Sequence, residues 1–170
     1  MQPLSTTSAD GTALNLRRWS ARDRTIGSAL LVPGLAEHFG RYEHVAAALT
    51  RAGFETTLIE LRGHGESDGK RGHVDAWSQY EEDLRAAAAT IEGPFYLVAH
   101  SMGGLVAMSA LLGELDRVRG VVLSNPLLGV AVQAPAIKLA AAGLLSKLLP
   151  RLSLSNELDV NDISRDPEVV

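Results

Sequence analysis

Two hydrophobic periods take turns along this chain. A polar N-terminal segment turns at Asp10-Gly11 into Leu14-Asn15-Leu16-Arg17-Arg18-Trp19, whose alternation predicts a half-exposed antiparallel pair at the edge of a sheet. Ser28-Ala29-Leu30-Leu31-Val32 is an unbroken apolar run that stops at Pro33-Gly34 and reads as a buried strand, and Val45-Ala46-Ala47-Ala48-Leu49 belongs to a helix that Gly53 ends. Residues 54–61 are the next strand. After a glycine-rich loop, residues 75–91 are expected to form a helix with Glu81, Glu82 and Asp83 facing water and Gly93-Pro94 as its stop. Phe95-Tyr96-Leu97-Val98-Ala99-His100 is a further strand, residues 105–112 a helix, and residues 118–124 one more strand that Asn125-Pro126 breaks. Short strands alternating with helices predict an α/β fold, a mostly parallel sheet with helices on both faces. From about residue 131 the chain turns leucine- and alanine-rich, with Ile137, Ala141, Leu144, Leu145 and Leu148 at helical spacing, which predicts a separate layer. Ser164-Arg165-Asp166-Pro167 has the pattern of a helix start. The expected division is therefore 1–130 and 131–170.

Composition narrows the classes of function. With 46% apolar residues, 170 residues have the material for one core. A net charge of −4 with both signs mixed supplies no basic face, which excludes nucleic acid as a partner. The absence of cysteine removes disulfides, thiolate nucleophiles and thiolate metal sites, and agrees with the cytoplasm as location. Met1-Gln2-Pro3-Leu4-Ser5-Thr6-Thr7-Ser8 has neither the basic start nor the apolar core of a secretory signal. The most apolar stretch, residues 127–150, is interrupted by Gln133, Pro135, Lys138 and Lys147, short of the roughly 20 predominantly apolar residues that a bilayer span needs.

The candidate chemistry centres on Ala99-His100-Ser101-Met102-Gly103-Gly104, between a strand and a helix. A serine on so sharp a turn is held in a strained backbone and leaves room only for small residues two places before and after it, which Ala99 and Gly103 are. Ser101 is the candidate nucleophile. Acyl transfer also needs N–H donors for the developing oxyanion. One is expected from Met102, which follows the nucleophile, and one from Leu35 in the loop Pro33-Gly34-Leu35-Ala36-Glu37-His38. On such scaffolds the acid and the histidine follow the serine, yet His38, His44, His64, His73 and His100 all precede Ser101. His100 cannot serve as the base, because neighbours at an elbow point apart. His64 and His38 are expected to brace their loops, and His44 and His73 to lie in solvent. Gly63-His64-Gly65-Glu66-Ser67-Asp68 begins like a dinucleotide fingerprint, but Asp68 stands where the third glycine belongs, so no cofactor is expected. No histidine and acid spacing suits zinc, so no metal is expected either.

Three blocks resemble the monoacylglycerol lipase and lysophospholipase family of α/β-hydrolases: the loop from Pro33 through Glu37-His38 to Arg41-Tyr42, the segment Arg62-Gly63-His64-Gly65-Glu66-Ser67, and the elbow itself. The order of the blocks agrees with the family's. Pro33, Ala36 and Ala99 depart from it, standing where the family has a histidine and two glycines. The resemblance implies an α/β-hydrolase fold with a helical cap beginning at 131–170, and cleavage of fatty-acyl esters through an acyl-enzyme. It implies that Glu37, Arg41 and His100 line the polar, alcohol-binding end of the pocket, although an ion pair that holds the loop explains Glu37 and Arg41 equally well. It gives residues 137–149 two readings: packing on the core, or sheltering an acyl chain and resting on a lipid surface as a peripheral membrane contact. Against the family's length the chain reads as an N-terminal part, lacking the triad acid and histidine and expected to be inactive alone. Two alternatives stand beside this reading: a non-catalytic scaffold that binds a lipid or a protein, and another esterase of the same fold.

Overall fold

A computed structural model of the chain describes residues 1–113 and 115–129. Six strands form one sheet: β1 (Gln2–Thr7), β2 (Ala13–Trp19), β3 (Gly27–Val32), β4 (Phe54–Ile59), β5 (Phe95–His100) and β6 (Val118–Ser124). Their order across the sheet is β1-β2-β4-β3-β5-β6. The expected edge pair is there: β1 and β2 run antiparallel, with Leu4 opposite Leu16, and β2 is antiparallel to β4. The remaining pairs, β3 with β4 and β5, and β5 with β6, are parallel. Parallel neighbours need crossovers, and three helices supply them: α1 (Glu43–Arg51), α2 (Ser78–Ala89) and α3 (Ser101–Leu112). Among the described residues β6 pairs only with β5, and no helix there is long and apolar enough to cross a membrane.

Period-two alternation in the central strands sends side chains to two cores. On one face Leu14, Leu16, Leu30, Val32, Ile59 and Leu97 pack against Leu84 and Ala87 of α2 and against Val106, Ala107 and Ala110 of α3. On the other, Leu31 and Leu58 pack with Ala46 of α1, flanked by Trp19, Val45, Leu49 and Val98. Each fully buried leucine here contributes about 1.5–3 kcal/mol relative to leaving it in water. The unbroken apolar run of β3 follows from burial on both faces.

One expectation for α2 fails. Asp83 is fully buried on the side of the helix that also carries Tyr80, Leu84 and Ala87, instead of facing water. Its carboxylate is met by buried Arg62, whose Nη2 donates to Oδ1 at 2.6 Å, whose Nε donates to Oδ2 at 2.9 Å and whose backbone N–H donates to Oδ2 at 3.0 Å. Glu81 and Glu82 are half-buried, and Glu81 accepts a hydrogen bond from Ser109 at 2.5 Å. A buried carboxylate persists only where a cation and N–H donors replace its water, and those donors come from a strand end 21 residues away in sequence.

The same guanidinium reaches the β1–β2 turn, with Nη1 donating to Asp10 Oδ2 at 2.6 Å and Nη2 to Ser8 Oγ at 3.0 Å. The hydrogen bond from Arg62, with further donors from Thr12, holds the Asp10 carboxyl well below the usual carboxylate range. A carboxyl depressed by folding stabilises the folded state above its unfolded value of about 4, and that contribution is lost as the pH falls toward the folded value. Chemical denaturation of the wild type is therefore expected to show stability falling below about pH 5. Asp10→Asn should flatten this fall, and an unchanged slope would remove Asp10 from the acid response.

Candidate active site

The site lies at the carboxyl ends of β3, β4 and β5, where an open parallel sheet presents its loops. Ser101 begins α3 directly after β5, with His100 still extended at φ −119° and Ser101 itself at φ +50°. That left-handed value is unfavourable for any residue with a Cβ and is the strain expected of a serine lifted out of a strand. The helix then runs close beneath β3. A Cβ on Gly103 would lie 2.3 Å from the Pro33 carbonyl oxygen and 2.5 Å from that of Val32. The glycine two places after the serine is thus required by contact between backbones. Gly104 meets Pro126 in the same way, a Cβ there coming within 2.8 Å of the proline Cβ.

Met102, almost fully buried, sits in the first turn of α3, where backbone N–H groups have no acceptor within the helix and the helix dipole favours negative charge. The loop after β3 lies against the serine: a Cβ on Gly34 would be 3.1 Å from Ser101 Cβ. Leu35, 58% exposed, follows Gly34, and Ala36 takes φ +59°, a conformation that glycine adopts freely and alanine does not. The departure from the family's glycine at position 36 therefore falls where the backbone most needs one.

Glu37, Arg41 and His100 are brought together. With Tyr42, His44, Val98 and Ser124 they line a cavity of about 290 Å³. The Glu37 carboxylate is mostly buried, its Oε1 3.4 Å from Arg41 Nε and its Oε2 accepting the Tyr42 hydroxyl at 2.6 Å and the Gly34 N–H at 2.7 Å. Burial, and then the Glu37 carboxylate to which it donates, push the Tyr42 hydroxyl upward. His100 Nδ1 lies 3.0 Å from the Ser124 carbonyl oxygen, which can only accept, so Nδ1 carries the proton. A second cavity, of about 390 Å³, lies between the loops after β3 and β4, bordered by Leu35, Glu37, His38, His64 and Arg71.

The other histidines are occupied elsewhere. Buried His64 turns Nδ1 to the Arg62 carbonyl at 2.9 Å, and His38 Nδ1 accepts the Gly40 N–H at 3.2 Å. His44 is exposed on α1. His73 differs from expectation: its side chain is only 19% exposed and its Nε2 lies 3.0 Å from Asp75 Oδ1.

One organising residue is not apparent in the sequence reading. Glu60, just past the end of β4, is 1% exposed and accepts hydrogen bonds from Asn15 Nδ2 at 2.7 Å, Glu66 N–H at 2.8 Å and Phe39 N–H at 2.9 Å. It ties β2 to both loops of the site. Gly65 is a glycine because a Cβ there would fall 2.0 Å from the Glu60 carboxyl carbon. The available signal was an acid closing the apolar run Leu58-Ile59-Glu60-Leu61, where charge is costly without partners.

Comparison with known proteins follows the same outline. The sequence model of the family described as serine aminopeptidase, S33 matches residues 23–170. A monoacylglycerol lipase of Mycolicibacterium smegmatis is 34% identical over 157 residues, covering 89% of this chain and 56% of that protein. A monoglyceride lipase of Rattus norvegicus is 32% identical over 168 residues, 95% of this chain and 55% of that protein. The crystal structure of Paleococcus ferrophilus monoacylglycerol lipase superposes with a TM-score of 0.78 at 34% identity, over 91% of this chain and 59% of that one. The chain thus spans somewhat more than half the length of these relatives.

Proposed function

The chain belongs to the serine aminopeptidase S33 family of α/β-hydrolases, in its monoacylglycerol lipase-type branch, and from that premise we propose that it is the nucleophile-bearing part of an esterase acting on fatty-acyl glycerol or lysophospholipid esters. The observation that carries the reading is Ser101 at φ +50° between β5 and α3, with the loop after β3 packed on its Cβ. Ser101 Oγ attacks the ester carbonyl, the Leu35 and Met102 N–H groups receive the oxyanion, the alcohol leaves, and water releases the acid from the acyl-enzyme. The general base and its acid partner come from chain outside these 170 residues. In support, all five histidines precede Ser101 in sequence, and His38, His64, His73 and His100 each engage a loop or strand end through a ring nitrogen. The 170 residues alone are accordingly expected to turn over ester at no more than a small residual rate.

The family's description names peptidase chemistry, and the charge at the site bears on the choice. An aminopeptidase needs a free carboxylate for the substrate's ammonium group. Glu37 borders both cavities, but its charge is already met by Arg41 and the Tyr42 hydroxyl. An ester of an uncharged alcohol asks for no such carboxylate. Steady-state rates of the full-length protein on 1-oleoylglycerol, oleoyl lysophosphatidylcholine and alanine p-nitroanilide test this. Faster turnover of either lipid is expected, and a preference for the anilide would overturn the ester reading.

A further inference from the structure

We propose that Glu37 is a positioning residue, the latch that holds the loop after β3 against Ser101 so that the Leu35 N–H faces the developing oxyanion. The inference rests on the reading of Ser101 as nucleophile and gives Glu37 a part in placing an oxyanion donor. Three contacts carry it. Glu37 Oε2 takes up the Gly34 N–H at 2.7 Å, which removes that donor from the site and leaves the next N–H along the chain, Leu35, as the one able to turn toward substrate. The same oxygen receives the Tyr42 hydroxyl at 2.6 Å, anchoring the carboxylate to the residue that leads into α1. Gly34 is clamped between latch and nucleophile: a Cβ there would be 2.9 Å from Glu37 Oε2 and 3.1 Å from Ser101 Cβ.

The latch also closes over a strained turn. Ala36, at φ +59°, lies between the two ends of the Gly34–Glu37 bond, and a backbone held in that region persists only where surrounding contacts determine it. An uncompensated carboxylate so near the serine would oppose the negative charge of the tetrahedral intermediate. Arg41 Nε, 3.4 Å from Oε1, and the Tyr42 hydroxyl offset it, so the loop gains a rigid acceptor without a repulsive field.

The test uses the full-length protein, two esters of one acyl chain, 1-decanoylglycerol and methyl decanoate, and amide hydrogen exchange at Gly34. Glu37→Ala is expected to lower kcat about 10²-fold on both esters with KM nearly unchanged, the scale of a misplaced oxyanion donor. Glu37→Gln keeps an acceptor for the Gly34 N–H and should recover much of the rate. Exchange at Gly34 should accelerate in the alanine variant and less in the glutamine one. A loss confined to the glycerol ester, or a raised KM at constant kcat, would place Glu37 on the alcohol instead. Unchanged Gly34 exchange in Glu37→Ala would show that no latch exists. Failure of the nucleophile reading would appear separately, as turnover in the parent protein that survives Ser101→Ala, while the exchange measurement still decides the latch.

Discussion

Ser101→Ala in the full-length protein is expected to lower ester turnover by roughly 10⁴- to 10⁶-fold and to abolish covalent labelling by a fluorophosphonate, with the fold unchanged. The size of the effect follows from the kind of catalysis. The nucleophile, its base and the oxyanion donors act as a unit, so loss of the attacking oxygen leaves only binding and the N–H dipoles. A second substitution separates chemistry from strain. Ser101 holds φ +50°, which costs a residue with a Cβ roughly 1–2 kcal/mol. Ser101→Gly should therefore be as inactive as the alanine variant yet more stable to heat, by an amount reduced by the extra chain entropy of glycine. Equal melting temperatures for the two variants would show that the strain at this residue is no larger than glycine's entropic cost, about 0.5–1 kcal/mol. Retained labelling in either would remove Ser101 as nucleophile.

The largest effect on stability is expected at Asp83. Asp83→Ala leaves the Arg62 guanidinium buried with only the turn residues Asp10 and Ser8 to meet it, a change of the kind that costs about 3–5 kcal/mol. Against a typical total of about 5–15 kcal/mol this is a large fraction, so the midpoint of urea unfolding should fall steeply. Replacing both charges, as Arg62→Met with Asp83→Leu, removes the desolvation problem together with the attraction and should recover part of the loss. A fall of less than about 1 kcal/mol in the single variant would mean that Asp10, with water, suffices to meet Arg62 once Asp83 is gone. The consequence extends to the site, because Arg62 opens the loop that carries His64, Gly65 and Glu66.

Much of this architecture is legible in the chain because it depends on local rules. Alternation in residues 14–19 marks the antiparallel pair at the edge of the sheet, and the apolar run at 28–32 marks a strand covered on both faces. The serine flanked by Ala99 and Gly103 marks the elbow, since a turn that sharp from strand to helix leaves room only for small residues two places before and after it. What periodicity misjudged was charge. Asp83 belongs to an acidic run that looks like a solvated face, and Glu60 to a strand that looks simply apolar. Both are buried because residues distant in sequence surround them with donors: Arg62 in the first case, Asn15 and Phe39 in the second, where the nearby Glu66 N–H joins them.

The same division runs through the candidate site. Strand-turn-helix order, the strained serine and the small residues beside it are consequences of sequence alone, since backbone sterics and hydrophobic period act over a few residues. The ties of Glu60 to β2 and to both loops were decided by the tertiary structure, whereas Glu37 finds Gly34, Arg41 and Tyr42 within its own stretch of chain and needs the fold only to bring that loop against Ser101. A buried polar group takes whichever donors the folded chain brings within about 3 Å, and for Glu60 two of them, Asn15 and Phe39, come from 45 and 21 residues away.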